Sequence, residues 1–150
     1  MLARILRAVR NFRRRLLVDV ARELGIKKRT YEHFEGGFGP LNVERVHAFA
    51  ELLRVDPYGV LTALEICSPE FAVRTAENKL MTMFHLQLQD FDQRTGDAIV
   101  LLDAYTLMVA FREMFAKLEE EARKREALVS RKLPGPPDDS DDGGGGEDEP

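Results

Sequence analysis

The chain has one cysteine, Cys67, among 150 residues, so no intrachain disulfide can form, and such sparse usage suits a reducing compartment. It also lacks an apolar run that could span a membrane, which takes about 20 residues. The longest apolar-rich stretch, Ala98 to Phe111, has fourteen residues and contains Asp103. No signal-peptide pattern is visible, because arginine recurs every few positions from Arg4 to Arg15. Nowhere does the sequence sustain the alternation of a half-buried strand. It has no internal repeat and no Ser/His/Asp group, phosphate loop, paired-carboxylate or metal-ligand spacing, so neither an enzyme nor a cofactor is expected. His47 and His85 lie far apart, and Met81, Met83, Met108 and Met114 fall at spacings typical of core filler. Cys67 precedes a helix start but has no base to activate it, which favours a buried or inert thiol. These absences leave a soluble cytoplasmic protein without membrane attachment as the expectation.

An apolar fraction of 44% is enough for a real core. The formal charge of −4 conceals an asymmetry. Residues 1–54 hold twelve Lys/Arg against six Asp/Glu, whereas residues 134–150 hold seven Asp/Glu and no Lys/Arg. The basic front therefore says more about partners than the total does.

Helical spacing runs through almost every other segment, and the fold expected is all-α. The first helix spans Leu2 to Arg14, with Leu2, Ile5, Leu6, Val9 and Phe12 inward. The second places Leu17, Val20, Ala21 and Leu24 on one face and ends at Gly25, which allows a left-handed backbone. A third begins near Lys27 and stops at Gly36-Gly37. The fourth is capped by Asn42, with a Leu41–Val46 staple, and turns Val43, Val46, Phe49, Ala50 and Leu53 inward. Asp56-Pro57 opens the fifth, and Ser68-Pro69 opens a sixth reaching about Phe91 with Phe71, Leu80, Met83, Phe84 and Leu88 inward. After Thr95-Gly96 a long seventh helix is expected from Asp97 to Val129.

The third helix carries the functional signal. Ile26, Thr30, Tyr31 and Phe34 can face the core, which leaves Lys28, Arg29, Glu32 and His33 together outside, with Lys27 at the start. Cations at a helix N-terminus oppose the macrodipole, and no Ser, Thr, Asp or Asn caps this one. A basic, uncapped helix start attracts anions through its free N–H groups and its side chains alike. Two short helices joined by a glycine turn, the second basic at its start, have the layout of a helix-turn-helix DNA reader. A solvated charge cluster is the alternative. Arg13, Arg14 and Arg15 either clamp phosphates or form a solvated helix end that suits the dipole.

Three stretches, VARELGI at Val20–Ile26, TYEHFEGG at Thr30–Gly37 and VHAFAELLRVDPYGVL at Val46–Leu61, together with Pro40, complete a pattern. It resembles the Cro/C1-type (XRE-like) helix-turn-helix family of bacterial and phage regulators over roughly residues 2–65. The resemblance implies a five-helix lambda-repressor-like domain whose recognition helix enters the major groove. It places base contacts on Lys28, Arg29 and His33, with Lys27 and the loop to Pro40 near phosphates. Glu32 could accept from cytosine N4. Leu17 stands where many relatives have a backbone-contacting Gln, Tyr31 replaces a small aliphatic residue, and Gly39-Pro40 alters the loop.

A DNA-binding domain is therefore expected over residues 1–66. A long helical hairpin for dimerisation follows at 67–133, and a disordered, acidic Gly/Asp-rich tail at 134–150. Twelve of the fourteen residues from Ala98 to Phe111 are apolar. A helix apolar on most sides must be covered on most sides, so Leu101, Leu102, Tyr105, Met108, Val109 and Phe115 are the candidate homodimer contacts. The alternative is a single monomeric core. The tail keeps the chain soluble, competes with DNA, or contacts RNA polymerase or another transcription factor. The expected function is sequence-specific binding of double-stranded DNA in transcription regulation. The rival is a protein-interaction module with a degenerate helix-turn-helix, as in an antitoxin or anti-regulator.

Overall fold

A computed structural model describes residues 1–132, and the acidic tail expected at 134–150 lies outside the described residues. The described residues form α-helices and one 3-10 segment, with no strand. In order these are α1 (Leu2–Phe12), α2 (Leu17–Glu23), α3 (Lys28–Glu35), α4 (Val43–Leu52), α5 (Pro57–Glu65), α6 (Pro69–Arg74), α7 (Leu80–Thr95), the 3-10 segment Gly96–Leu101 and α8 (Ala104–Lys132). No helix of the described residues is long and apolar enough to cross a membrane.

The described residues divide into two compact units, Met1–Gly96 and a second that begins at Asp97. The boundary expected at residue 66 is thus displaced: α6 packs on α1 and α5, and α7 on α5. Ala72 and Ala76 join the core of Ile5, Leu6, Val9, Val20, Tyr31, Val46, Phe49, Val55 and Val60. Gly59 permits this approach, since a Cβ there would lie 2.5 Å from Thr75 Oγ1.

The first five helices end in the same way. In each, the residue after the C-cap bonds back to the third carbonyl before it, and the next residue to the fifth, the Schellman arrangement. Glycine holds the left-handed position after α2 and α3, as Gly25 (φ 66) and Gly37 (φ 70). Arg14, Arg54 and Cys67 hold it after α1, α4 and α5, at φ 52 to 54. An L-residue there costs roughly 1–2 kcal/mol, and nothing in those residue types announces the stop. Cys67, expected to be buried or inert, is accordingly an exposed helix-end residue.

Capping decided further boundaries. Asn42 caps α4 as expected, accepting from Arg45 N at 2.8 Å. Ser68 makes no side-chain cap bond, and the helix it opens stops at Arg74 instead of running to Phe91. The chain restarts at Leu80 because Asp56, fully buried, caps two helices. Its Oδ1 accepts from Tyr58 N at 3.1 Å and from Thr82 Oγ1 at 2.7 Å, while Oδ2 accepts from Met81 N at 2.8 Å and Thr82 N at 3.1 Å. Asp103 likewise divides the expected Asp97–Val129 helix. Its carboxylate accepts from Thr106 N at 2.8 Å and from Thr106 Oγ1 at 3.1 Å, starting α8 at Ala104, and those bonds hold its pKa below the usual carboxylate range.

Several residues expected inside are outside. Phe12, Leu41, Val43, Met83 and Leu88 are exposed, which leaves no buried Leu41–Val46 staple. Met83 and Leu88 follow from the break: α7 restarts in a phase of its own and has no fully buried residue.

Asp56→Ala removes two caps at once. Urea unfolding is expected to show a loss of about 2–4 kcal/mol, at up to about 2 per cap, with faster amide exchange at Met81 and Thr82. A loss below about 1 kcal/mol would show that α7 does not depend on this carboxylate.

Candidate nucleic-acid interface

The α3 helix is positioned by a buried polar network. Glu35 is 4% exposed on its inner side. Arg10, from α1, donates to it twice, Nε to Oε1 at 2.6 Å and Nη2 to Oε2 at 3.2 Å. Tyr31 donates its hydroxyl to Glu35 Oε1 at 2.9 Å, and Arg10 Nη1 reaches Arg15 O at 3.0 Å. A buried carboxylate must be paired and hydrogen-bonded to be tolerated, and here every partner comes from α1 or α3. The hydrogen bond to Glu35 raises the Arg10 pKa further above its already high value. Burial, reinforced by the Glu35 charge, pushes the Tyr31 hydroxyl well above its ordinary value.

Tyr31, Phe34 and Glu35 are the buried residues of α3. Thr30, expected inside, is exposed, and Ile26 is half-buried. Glu35 takes the inward place because Arg10 neutralises it. Phe34 and Tyr31 pack on Phe49 with ring centroids 6.1 and 6.5 Å apart. With that side anchored, Lys27, Lys28, Arg29, Glu32 and His33 are all exposed, as the sequence led one to expect. Lys28 pairs with Glu32 at 3.4 Å. No side chain caps the start of α3. The N–H groups of Lys28, Arg29 and Thr30 therefore stand at an open, cationic helix end.

The arginine triplet is not one surface. Arg13 turns inward, donating to Leu53 O at 3.0 Å and Arg54 O at 2.9 Å, the two residues that follow α4, and pairing with Glu77 at 2.8 Å. Arg15 pairs with Glu23. Within the fold Arg13 and Arg15 thus already have acidic partners, Glu77 and Glu23, so the triplet does not present three unpaired cations side by side. Only Arg14 of the three is exposed.

Two features escaped the sequence reading. Phe38 is 65% exposed, held where a Cβ on Gly36 would collide with its ring, and its centroid is 5.5 Å from that of His33. The fold also brings His47 and His85 to one ring: His85 stacks on Tyr58 at 4.0 Å and His47 meets its edge at 5.3 Å. A signal for Glu35 was present, since an acid four residues after a core tyrosine lies on the inner side of the helix. Nothing nearby in sequence named Arg10 as its partner.

In the second unit, Leu101, Tyr105, Met108, Val109 and Phe115 are exposed and Leu102 is half-buried. Val100 and Leu101 reach 83% and 81% exposure, so the apolar run is largely bare.

Comparison of the chain with family models, with curated proteins and with solved structures finds no match.

Arg10→Ala strands Glu35, and chemical unfolding is expected to show a loss of about 3 kcal/mol or more. The double change Arg10→Met with Glu35→Leu should restore much of it; equal losses in both variants would deny the pair its role. A second expectation concerns pH. Folding holds the Tyr31 proton where an unfolded chain releases it, near pH 10. The stability that this contributes is complete below about pH 10 and declines as pH rises beyond. Melting followed from about pH 8 to 11 should show a steeper fall for the wild type than for Tyr31→Phe, and parallel curves would exclude Tyr31 as the cause.

Proposed function

We propose that the chain is a sequence-specific double-stranded-DNA-binding transcription regulator of the Cro/C1 kind. In this reading α1 to α5 form a lambda-repressor-like domain, α2, the Gly25 turn and α3 are its helix-turn-helix, and α3 enters the major groove. The observation that carries it is the exposed, uncapped, cationic start of a helix whose opposite side is tied to α1 through Arg10 and Glu35. Arg29 would bond guanine O6 and N7 in a bidentate way, Lys28 would make the simpler version, and Glu32 would accept from cytosine N4. His33 reads a base one turn on, while Lys27 and Arg14 meet phosphates. Duplex phosphates satisfy both the free N–H groups and the side-chain charge.

The regulator acts as a homodimer. Leu101, Tyr105, Met108, Val109 and Phe115, with Leu102 beside them, offer a second copy an apolar surface. A two-fold protein reads two half-sites about 34 Å apart. It works in the cytoplasm, and RNA polymerase or another transcription factor is the further partner.

One observation favours a second reading, that of a protein-interaction module such as an antitoxin or anti-regulator. Leu16 and Val18 at the start of α2, and Phe38, Leu41 and Val43 around the α3–α4 loop, are all exposed. Apolar side chains there suit a protein partner better than phosphates.

Gel-shift titration against genomic fragments at several salt concentrations separates the two. A regulator gives a log–log salt slope of several units, at about 0.9 per phosphate, and discrimination that Lys28→Ala with Arg29→Ala abolishes. His33→Ala should relax preference at one base pair by about 1–3 kcal/mol. A negligible slope, unchanged in the Lys28/Arg29 double variant, would decide for the protein partner.

A further inference from the structure

Six arginines, Arg4, Arg7, Arg10, Arg13, Arg14 and Arg15, precede the first acidic residue, Asp19. The fold divides them. Arg10, Arg13 and Arg15 bond Glu35, Glu77 and Glu23. Arg4, Arg7 and Arg14 are exposed, and none has an acidic partner among the described residues. Arg4, Arg7 and Asn11 share the face of α1 opposite the fully buried Ile5, Leu6 and Val9, and Arg14 follows at the helix end.

From this division we infer that α1 carries a second, sequence-independent nucleic-acid contact, in which Arg4, Arg7 and Arg14 take the sugar-phosphate backbone. It rests on the DNA-binding reading and extends it to a helix outside the helix-turn-helix. The row covers about 15 Å along the axis, and a strand presents a phosphate about every 3.4 Å of duplex axis, so several phosphates fall within reach. Guanidinium suits them better than ammonium would, because its planar fork bonds two phosphate oxygens at once. No acid stands in the first turn of α1 to balance Arg4 against the helix dipole, so an outside anion relieves an unfavourable charge. An anionic membrane is the poorer fit. A helix lying on lipid needs its apolar face free, and that of α1 is consumed by the core.

The test uses the full chain and two short duplexes, one selected from a random pool and one unrelated. Binding is measured between about 50 and 200 mM salt. Arg4→Gln with Arg7→Gln and Arg14→Gln should lower the log–log slope by about 2.7, three contacts at about 0.9 each. The fall should be the same for both duplexes, leaving their affinity ratio and the melting temperature unchanged. The corresponding triple Arg→Lys variant should keep most of the slope. A triple Gln variant that folds and keeps the wild-type slope overturns the inference while leaving the α3 reading intact. A wild type that never discriminates between the duplexes, yet loses slope with the triple Gln change, sinks the α3 reading and leaves this contact standing. Arginine-dependent binding to phosphatidylserine vesicles with no effect on duplex binding would overturn it in favour of a membrane surface.

Discussion

The first unit depends on a buried charge that cannot stand alone. Glu35 sits at the inner side of α3, and its two oxygens are met by Arg10 from α1 and by Tyr31 from its own helix. Removing Arg10 leaves a buried carboxylate without its counter-charge, which is costly. Such a pair contributes little net stability over a well-packed hydrophobic one. What it contributes is orientation: the fork of Arg10 accepts Glu35 at one rotation of α3 about its axis, and that rotation turns Lys28, Arg29 and His33 outward. Since α1 itself packs against α5 and α6, the position of α3 is referred to the whole core.

The same device recurs at two other joints. Asp56 links the start of α5 to the start of α7 by accepting from both. Arg13 links the end of α1 to the end of α4 by donating to the carbonyls of Leu53 and Arg54, which follow that helix. Helix ends carry unsatisfied groups, and a charged side chain from another element satisfies several of them in one contact. Polar groups thereby set the angles between helices whose apolar faces would tolerate several arrangements. One consequence is a sorting of the arginines, in which some are paired within the fold and others stand exposed without an acidic partner among the described residues.

The proposed chemistry follows from that sorting. Phosphate recognition needs exposed cations on a rigid frame, and α3 with the outer face of α1 provides them. Apolar residues around the same region, Leu16, Val18, Phe38, Leu41 and Val43, make it more than a basic patch. Phe38 in particular is held in place by Gly36 and His33 without being buried. The second unit adds a helix whose apolar side chains are bare, the surface on which the proposed homodimer rests.

Much of this was legible in order along the chain. Apolar spacing placed the helices of the first half, Gly25 and Gly36-Gly37 marked two stops, Asn42 and Asp56-Pro57 marked two starts, and the basic outer side of the third helix was visible from its residues. These signals are local, since a cap or an apolar stripe is decided by neighbours within one or two turns. The α6–α7 break, the start of α8 after Asp103, the inward turn of Arg13 and the burial of Glu35 were not predicted from the sequence. Asp103 acts locally, on Thr106, yet its residue type within an apolar run did not announce a cap. For the others the reason is distance. Asp56 caps α7 from 25 residues away, Arg10 meets Glu35 across the same separation, and Arg13 reaches carbonyls 40 residues on. The sequence by itself determined an all-helical chain with a basic third helix. Which of its charges became joints and which stayed free was decided only by tertiary structure, because an ion pair depends on positions in space that no residue carries alone.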